Sequence, residues 1–262
     1  MNKRGQLTLF IVLGIVILLL VGLGVYFKDE LLSFTGISDE LSYPSEIQEV
    51  KDHVQECVDI SSKNAVIGLG MTGGYFTLPE KSFYFDDSGV AYYYYDGENL
   101  VISLDRMEGE LNDYVNILLL GCLDIEQFSM DIQNSGLSVE SSINDGSVDV
   151  SVDYPLIISV GENTYNLVEP YTTSLDVDLL KMNTISNNIV RNDIDNPDQL
   201  DLNFLLGQGL SNIEYVPYDN DTIIYVLKDS SSFNGEGYTF MFASYFPYDG
   251  NMTYEQYWES WL

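Results

Sequence analysis

The chain has 262 residues, a formal charge of −31 and a pI near 4.1, with 10 Lys and Arg against 41 Asp and Glu. A surface this acidic repels phosphate backbones and anionic lipid heads, which excludes nucleic acid as a partner. Aromatic residues make up 13% of the chain and the acids are dispersed, so the composition points to a folded core and not to a disordered acidic tail.

The first element is a transmembrane helix. Leu7–Phe27 is a run of 21 residues without a charge. As a helix it spans about 30 Å, the thickness of a bilayer core, and only a helix satisfies its own backbone there. Lys3 and Arg4 precede the run and Lys28-Asp29-Glu30 closes it. The positive-inside bias puts residues 1–6 in the cytoplasm and everything after the anchor outside. A cleaved secretory signal would have a shorter apolar core and a small-residue exit. From Asp29 onward seven Lys and Arg face 41 acids, a formal −34. Screening in a salty exterior, where the Debye length falls to about 3 Å at 1 M, would relieve that repulsion, so halophilic adaptation is expected.

Residues 28–43 read as a stalk, and residues 44–250 as an acidic α+β ectodomain, divisible into 44–134 and 135–250. Pro44 opens a helix in which Ile47, Val50, Val54, Cys57 and Val58 recur at helical spacing, to about Ile67. Gly73-Gly74 is a turn. Strands are predicted at Tyr75–Leu78, Ser82–Phe85, Val90–Tyr95 and Leu100–Leu104, and a second helix over about Glu108–Gln133 with Leu111, Val115, Leu118, Cys122 and Ile125 as its stripe. Leu137–Ile143 and Val148–Asp153 alternate apolar and polar around Asn144-Asp145-Gly146-Ser147, a hairpin signature. Pro155–Val160 and Tyr165–Val168 extend the meander. Helices at about 174–192 and 197–207 follow, then strands at Ile213–Val216, Thr222–Lys228 and Tyr238–Phe246. Helices packed on antiparallel sheet make the class α+β. Residues 251–262 form an amphipathic aromatic end: Thr253 and Gln256 make a capping box, and Tyr254, Tyr257, Trp258, Trp261 and Leu262 share a face suited to docking on the protein's own body.

Lys3-Arg4-Gly5-Gln6 before the apolar helix resembles the processing site of archaeal type IV prepilin-like proteins. The resemblance implies export, cleavage between Gly5 and Gln6, and self-assembly through the retained helix. Many pilins place a glutamate at the fifth mature position, where this chain has Phe10. In the body, Val54-Gln55-Glu56-Cys57-Val58 and Gly68-Leu69-Gly70-Met71-Thr72-Gly73-Gly74-Tyr75 resemble a pattern in uncharacterised single-pass archaeal surface proteins. That likeness implies architecture and no activity.

Cys57 and Cys122 each sit on the apolar stripe of a predicted helix. In an oxidising exterior two such cysteines form a disulfide; two buried thiols are the alternative. His53, the single histidine, lies one helical turn before Cys57 and invites a Cys–His nucleophile, but a core-facing thiolate is costly. Walker, Gly-x-Ser-x-Gly and Gly-x-Gly-x-x-Gly motifs are lacking, so neither catalysis nor a cofactor is expected. One histidine and two distant cysteines make no zinc site. Asp193, Asp195, Asp198 and Asp201 have calcium-like spacing, without the loop glycine, and read as a solvated loop and helix cap. Asn220 and Asn251 head glycosylation sequons. In Tyr92-Tyr93-Tyr94-Tyr95 strand alternation puts two rings at the surface, suited to a sugar or a partner.

These features predict a single-pass cell-envelope protein, held by the lipid bilayer at its N-terminal helix, with an acidic domain for structural or adhesive contact with envelope or cell-surface proteins or glycans. A pilin-like filament subunit is one alternative and an envelope hydrolase another.

Overall fold

A computed structural model describes residues 43–247 except 86–87, 197–200, 211 and 220. The chain divides between Glu46 and Ile47, and the body is the unit that begins at Ile47. Among the described residues no helix is long and apolar enough to cross a membrane; Leu7–Phe27 lies outside them, as do nearly all of the stalk and the whole aromatic end at 251–262.

Helix α1 runs Ser45–Thr72 and buries Ile47, Val50, Val54, Cys57, Val58, Ala65, Val66 and Leu69. It continues past the predicted end at Ile67 because Gly68 and Gly70 act as points of close approach and not as breakers. A Cβ at position 68 would meet the Tyr114 ring at 2.5 Å, and one at position 70 would strike the Thr239 carbonyl and the Tyr238 ring. The helix ends at Gly73 and Gly74, with φ of +74° and +78°, where the Gly74 N–H donates to the Leu69 carbonyl at 2.7 Å. Tyr75–Leu78 is a loop, not the predicted strand. The Phe76 and Thr77 N–H groups donate to the Glu110 carboxylate, at 3.0 and 3.1 Å, and not to a neighbouring strand.

Strands β1 (Ser82–Phe85) and β2 (Ser88–Tyr95) form a hairpin, and β3 (Glu98–Asn99) is a short pairing on β2. The strand expected at 100–104 is absent. Instead Ser103 caps α2 (Leu104–Cys122), accepting from the Arg106 N–H. The C-terminal half of the long helix predicted to reach Gln133 is a 3-10 turn (Ile125–Gln127) followed by strand β4 (Asp131–Asn134), whose Ile132 pairs with Ile158.

The predicted hairpin forms as β5 (Ser138–Ile143) and β6 (Ser147–Asp153), with Gly146 at φ +80° in its turn. The continuous meander does not: β7 (Leu156–Val160) and β8 (Asn163–Leu167) leave β6 and join β4, while β9 (Tyr171–Asp176) returns to pair with β6. Strand β9 takes residues assigned from sequence to the next helix, because Tyr171 and Leu175 are buried between exposed Thr172, Ser174 and Asp176, a period of two. Helix α3 starts later, at Leu179, with Asp178 capping the Lys181 N–H, and runs to Asp195. Asp201 caps the short α4 (Leu202–Leu206).

The largest sheet has the order β1-β2-β12-β11-β10, with β10 (Asn212–Pro217), β11 (Thr222–Asp229) and β12 (Tyr238–Tyr245) the last strands among the described residues; a single turn, α5 (Ser232–Gly235), links the last two. Pairing is antiparallel except between β12 and β2, which run parallel, so the sheet is mixed. Residues 82–99 therefore share a sheet with residues 212–245, across the division suggested at 134/135. The inner face of this sheet carries the aromatic core. Tyr93, Tyr225, Phe240 and Phe242 are fully buried, with Phe242 stacked between Tyr93 at 4.9 Å and Tyr225 at 5.0 Å. Helix α1 crosses it, taking hydrogen bonds from Tyr238 at the Val66 carbonyl (3.1 Å), and its terminal turn takes one from Tyr93 at the Gly73 carbonyl (2.9 Å).

Candidate functional site

The outer face of the same sheet carries a cluster of partly exposed rings. Simple alternation along β2 would send Tyr92 and Tyr94 to one face and Tyr93 and Tyr95 to the other. The parallel ladder interrupts it: Ala243 pairs with Tyr92, but Ser244 pairs with Tyr94, so the register slips across Tyr93. As a result Tyr93 and Tyr94 are both buried, while Tyr92 and Tyr95 are half-buried neighbours with ring centres 5.3 Å apart. Tyr245 stacks on Tyr95 at 4.5 Å and meets Tyr92 at 6.0 Å. Phe83 of β1 lies 6.2 Å from Tyr92, and Tyr218, which is 52% exposed, lies 4.7 Å from Phe83. Two tyrosines of the run do reach the surface, but they are the outer pair and not an alternating one.

The aromatic face carries one ammonium beside several carboxylates. The Lys81 ammonium sits 4.5 Å from the centre of the Tyr95 ring and pairs with Glu98 at 2.6 Å. Burial raises the Tyr245 phenol above its ordinary range, and Asp221, Asp96 and Asp219 push it the same way through space. Burial also raises Tyr92; its hydrogen bond with Thr222 at 3.1 Å opposes the shift and the Asp219 charge adds to it. Asp219 is fixed by accepting the N–H groups of Asp221 and Thr222 at 2.9 and 2.7 Å. Flat rings inside an acidic rim suit binding, since ring faces carry negative charge.

Cys57 and Cys122 are joined by a disulfide between α1 and the end of α2, with Cα atoms 5.7 Å apart. His53 lies 3.9 Å from the Cys57 sulfur, contacts the Gln127 side-chain nitrogen at 3.2 Å and meets the Phe128 ring edge-on. With that sulfur in the bridge, a Cys–His nucleophile has no thiolate.

Of the aspartates singled out for calcium, the described ones, Asp193, Asp195 and Asp201, do not converge. Asp193 is 3% exposed and faces the inner side of the sheet, where Tyr225 and Ser244 donate to its two oxygens at 3.1 and 3.0 Å. Burial pushes its carboxyl up to about 7, against the lowering effect of those two hydrogen bonds. It is therefore a core residue and not part of a solvated loop. Asp201 is a helix cap, Asp195 ends α3, and Asp198 lies outside the described residues. Among the described residues no three His, Cys, Asp or Glu side chains are grouped to hold a metal ion. Gly5, Gln6, Asn220 and Asn251 also lie outside them; Thr222, the hydroxyl residue of the first sequon, is buried and bonded to Tyr92.

No family model matches the chain, and neither a curated protein nor a solved structure shows a significant match to it.

Proposed function

We propose that this chain is a cell-envelope protein anchored by the Leu7–Phe27 helix, whose acidic extracytoplasmic domain makes structural or adhesive contacts through the aromatic outer face of its large sheet. The observation that carries the reading is the Cys57–Cys122 bridge in a body that follows two basic residues and an uncharged apolar run. Disulfides form and persist in oxidising compartments, and the order of charges sends this body to such a side. The test is thiol alkylation of the protein extracted from its native membranes under denaturing, non-reducing conditions, combined with protease added to intact cells. The reading expects no alkylated cysteine and removal of the domain from outside. Two alkylated cysteines and a protected domain would overturn it.

Lys3-Arg4-Gly5-Gln6 favours a second reading, a pilin-like subunit. A mature protein that begins at Gln6 and appears in sheared surface fibres would support it. A protein retaining Met1 or Asn2, found only in membranes, would remove it.

A further inference from the structure

We propose that the aromatic face formed by Tyr92, Tyr95 and Tyr245 docks a lysine- or arginine-bearing segment of a partner protein, a reading that rests on the contact role given above. Three observations converge on a cationic occupant. First, the face already holds an ammonium: Lys81 lies 4.5 Å from the Tyr95 ring centre. An aromatic ring takes a cation within about 6 Å of its centre through its negatively charged face. Second, among the described residues no Lys or Arg lies over Tyr92 or Tyr245, although these rings pack with Tyr95 into one cluster. Third, the surroundings are negative. Asp96 and Asp219 act on Tyr245, while the Lys81–Glu98 pair, 2.6 Å apart, is neutral as a unit. Asp96 follows β2 directly in a left-handed conformation, φ 48°, and its N–H donates to the Tyr245 carbonyl at 3.3 Å, which ties this carboxylate's backbone to the strand that carries the platform ring.

Charge complementarity selects among occupants. A basic segment meets ring faces and carboxylates together and gains on both. A neutral glycan would stack on the rings and make no use of the Asp96 and Asp219 charges. The chain's own residues 251–262 contain Glu255 and Glu259 and no Lys or Arg, the same sign as the rim.

The experiment is titration of the full chain in detergent with two probes, hexalysine and neutral cellohexaose, with binding followed by calorimetry and by the tyrosine ring resonances. Because an acidic protein attracts any polycation, the deciding comparison holds net charge constant. Tyr95→Leu with Tyr245→Leu removes the π faces and should weaken hexalysine about five- to tenfold. Tyr95→Phe with Tyr245→Phe keeps the faces and should bind like the wild type. Asp96→Asn, a residue that tolerates the left-handed backbone, should weaken hexalysine about two- to threefold without disturbing the fold. Equal hexalysine binding by the wild type, the Leu pair and Asp96→Asn would mean attraction by bulk charge alone and would overturn the proposal. Tyrosine-dependent binding of cellohexaose without hexalysine would also overturn it, while leaving the contact role standing with a glycan as ligand. Ring resonances unmoved by either probe would overturn both the cationic occupant and the aromatic face as the contact surface, and would leave anchoring and export to be judged by alkylation and proteolysis.

Discussion

The two faces of the large sheet use the same kind of residue for opposite ends. On the inner face Tyr93, Tyr225, Phe240 and Phe242 are fully buried beneath helices; on the outer face Tyr92, Tyr95 and Tyr245 keep part of their rings in solvent. Neighbours in one tetrad of tyrosines differ only in what lies across from them. Inside, a ring meets α1 or another ring and its hydroxyl finds a carbonyl or a carboxyl. Outside, it meets other rings and a rim of acids. The difference teaches that residue type sets what a side chain is able to do, while strand register decides which task it receives.

Substitution should separate the faces most sharply through stability. Phe242→Ala empties the centre of the inner stack and is expected to cost about 3–5 kcal/mol, whereas Tyr95→Ala on the outer face should cost no more than about 1. Thermal or urea unfolding of both variants reads this directly, and equal losses would erase the distinction.

The next effect concerns the helices that cover the inner face. The disulfide joins α1 to α2 across a sequence separation of 65, and Cys57→Ser with Cys122→Ser should lower stability by about 4 kcal/mol through the entropy of the longer unfolded loop. Urea midpoints with and without reductant check it, and the double variant should lose its sensitivity to reductant.

The third effect lies where α3 meets the same face. Asp193 holds its proton more tightly folded than unfolded, with its carboxyl raised from 3.8 to about 7. Its contribution is fully present below about pH 4, declines as pH rises, and is lost once pH passes about 7. Asp193→Asn keeps an acceptor for Tyr225 and supplies a donor to Ser244, so it should flatten that slope and raise stability above pH 7 by a few kcal/mol, with about 4 as the ceiling for a three-unit shift. Unfolding midpoints of both proteins between pH 4 and 8 test it; parallel curves would reject a buried proton.

The smallest effect tests whether the cover itself is fully satisfied. Ser62 of α1 is completely buried and its hydroxyl has no hydrogen-bond partner. Ser62→Ala should raise stability by about 1 kcal/mol in urea titration.

What could be read from sequence follows the range of each interaction. The β5–β6 hairpin was legible because its whole pattern is local: alternating valines, a turn and a second alternating run. Helix α1 was legible up to Ile67, where Gly68 and Gly70 looked like breakers; their packing against Tyr114 and Tyr238 involves residues far along the chain. The β2–β12 pairing joins Tyr92 to Ala243 with no connecting signal, so the register slip that builds the aromatic face was not readable. Strand β4 was hidden because Ile125 and Ile132 fit a helical stripe as well as a strand. The polar neighbours Asn192, Asp195 and Asn196 make Asp193 read as loop. The buried stripe of α3, running Met182, Ile185, Ile189 and then 193, was the signal that places it inside.

The register slip also makes the tetrad unusual as a piece of coding. Four identical residues are indifferent to order, so no exchange of positions within the run changes the protein. Their number is another matter. With one tyrosine fewer, the ladder would have no residue to spare: Ala243, Ser244 and Tyr245 would face three tyrosines one to one, a ring would still lie across from Tyr245, and the core would lose one of the two consecutive rings that Tyr93 and Tyr94 now bury. A single in-frame deletion in this run would then spare the outer face and thin the core, while leaving composition and local sequence almost untouched.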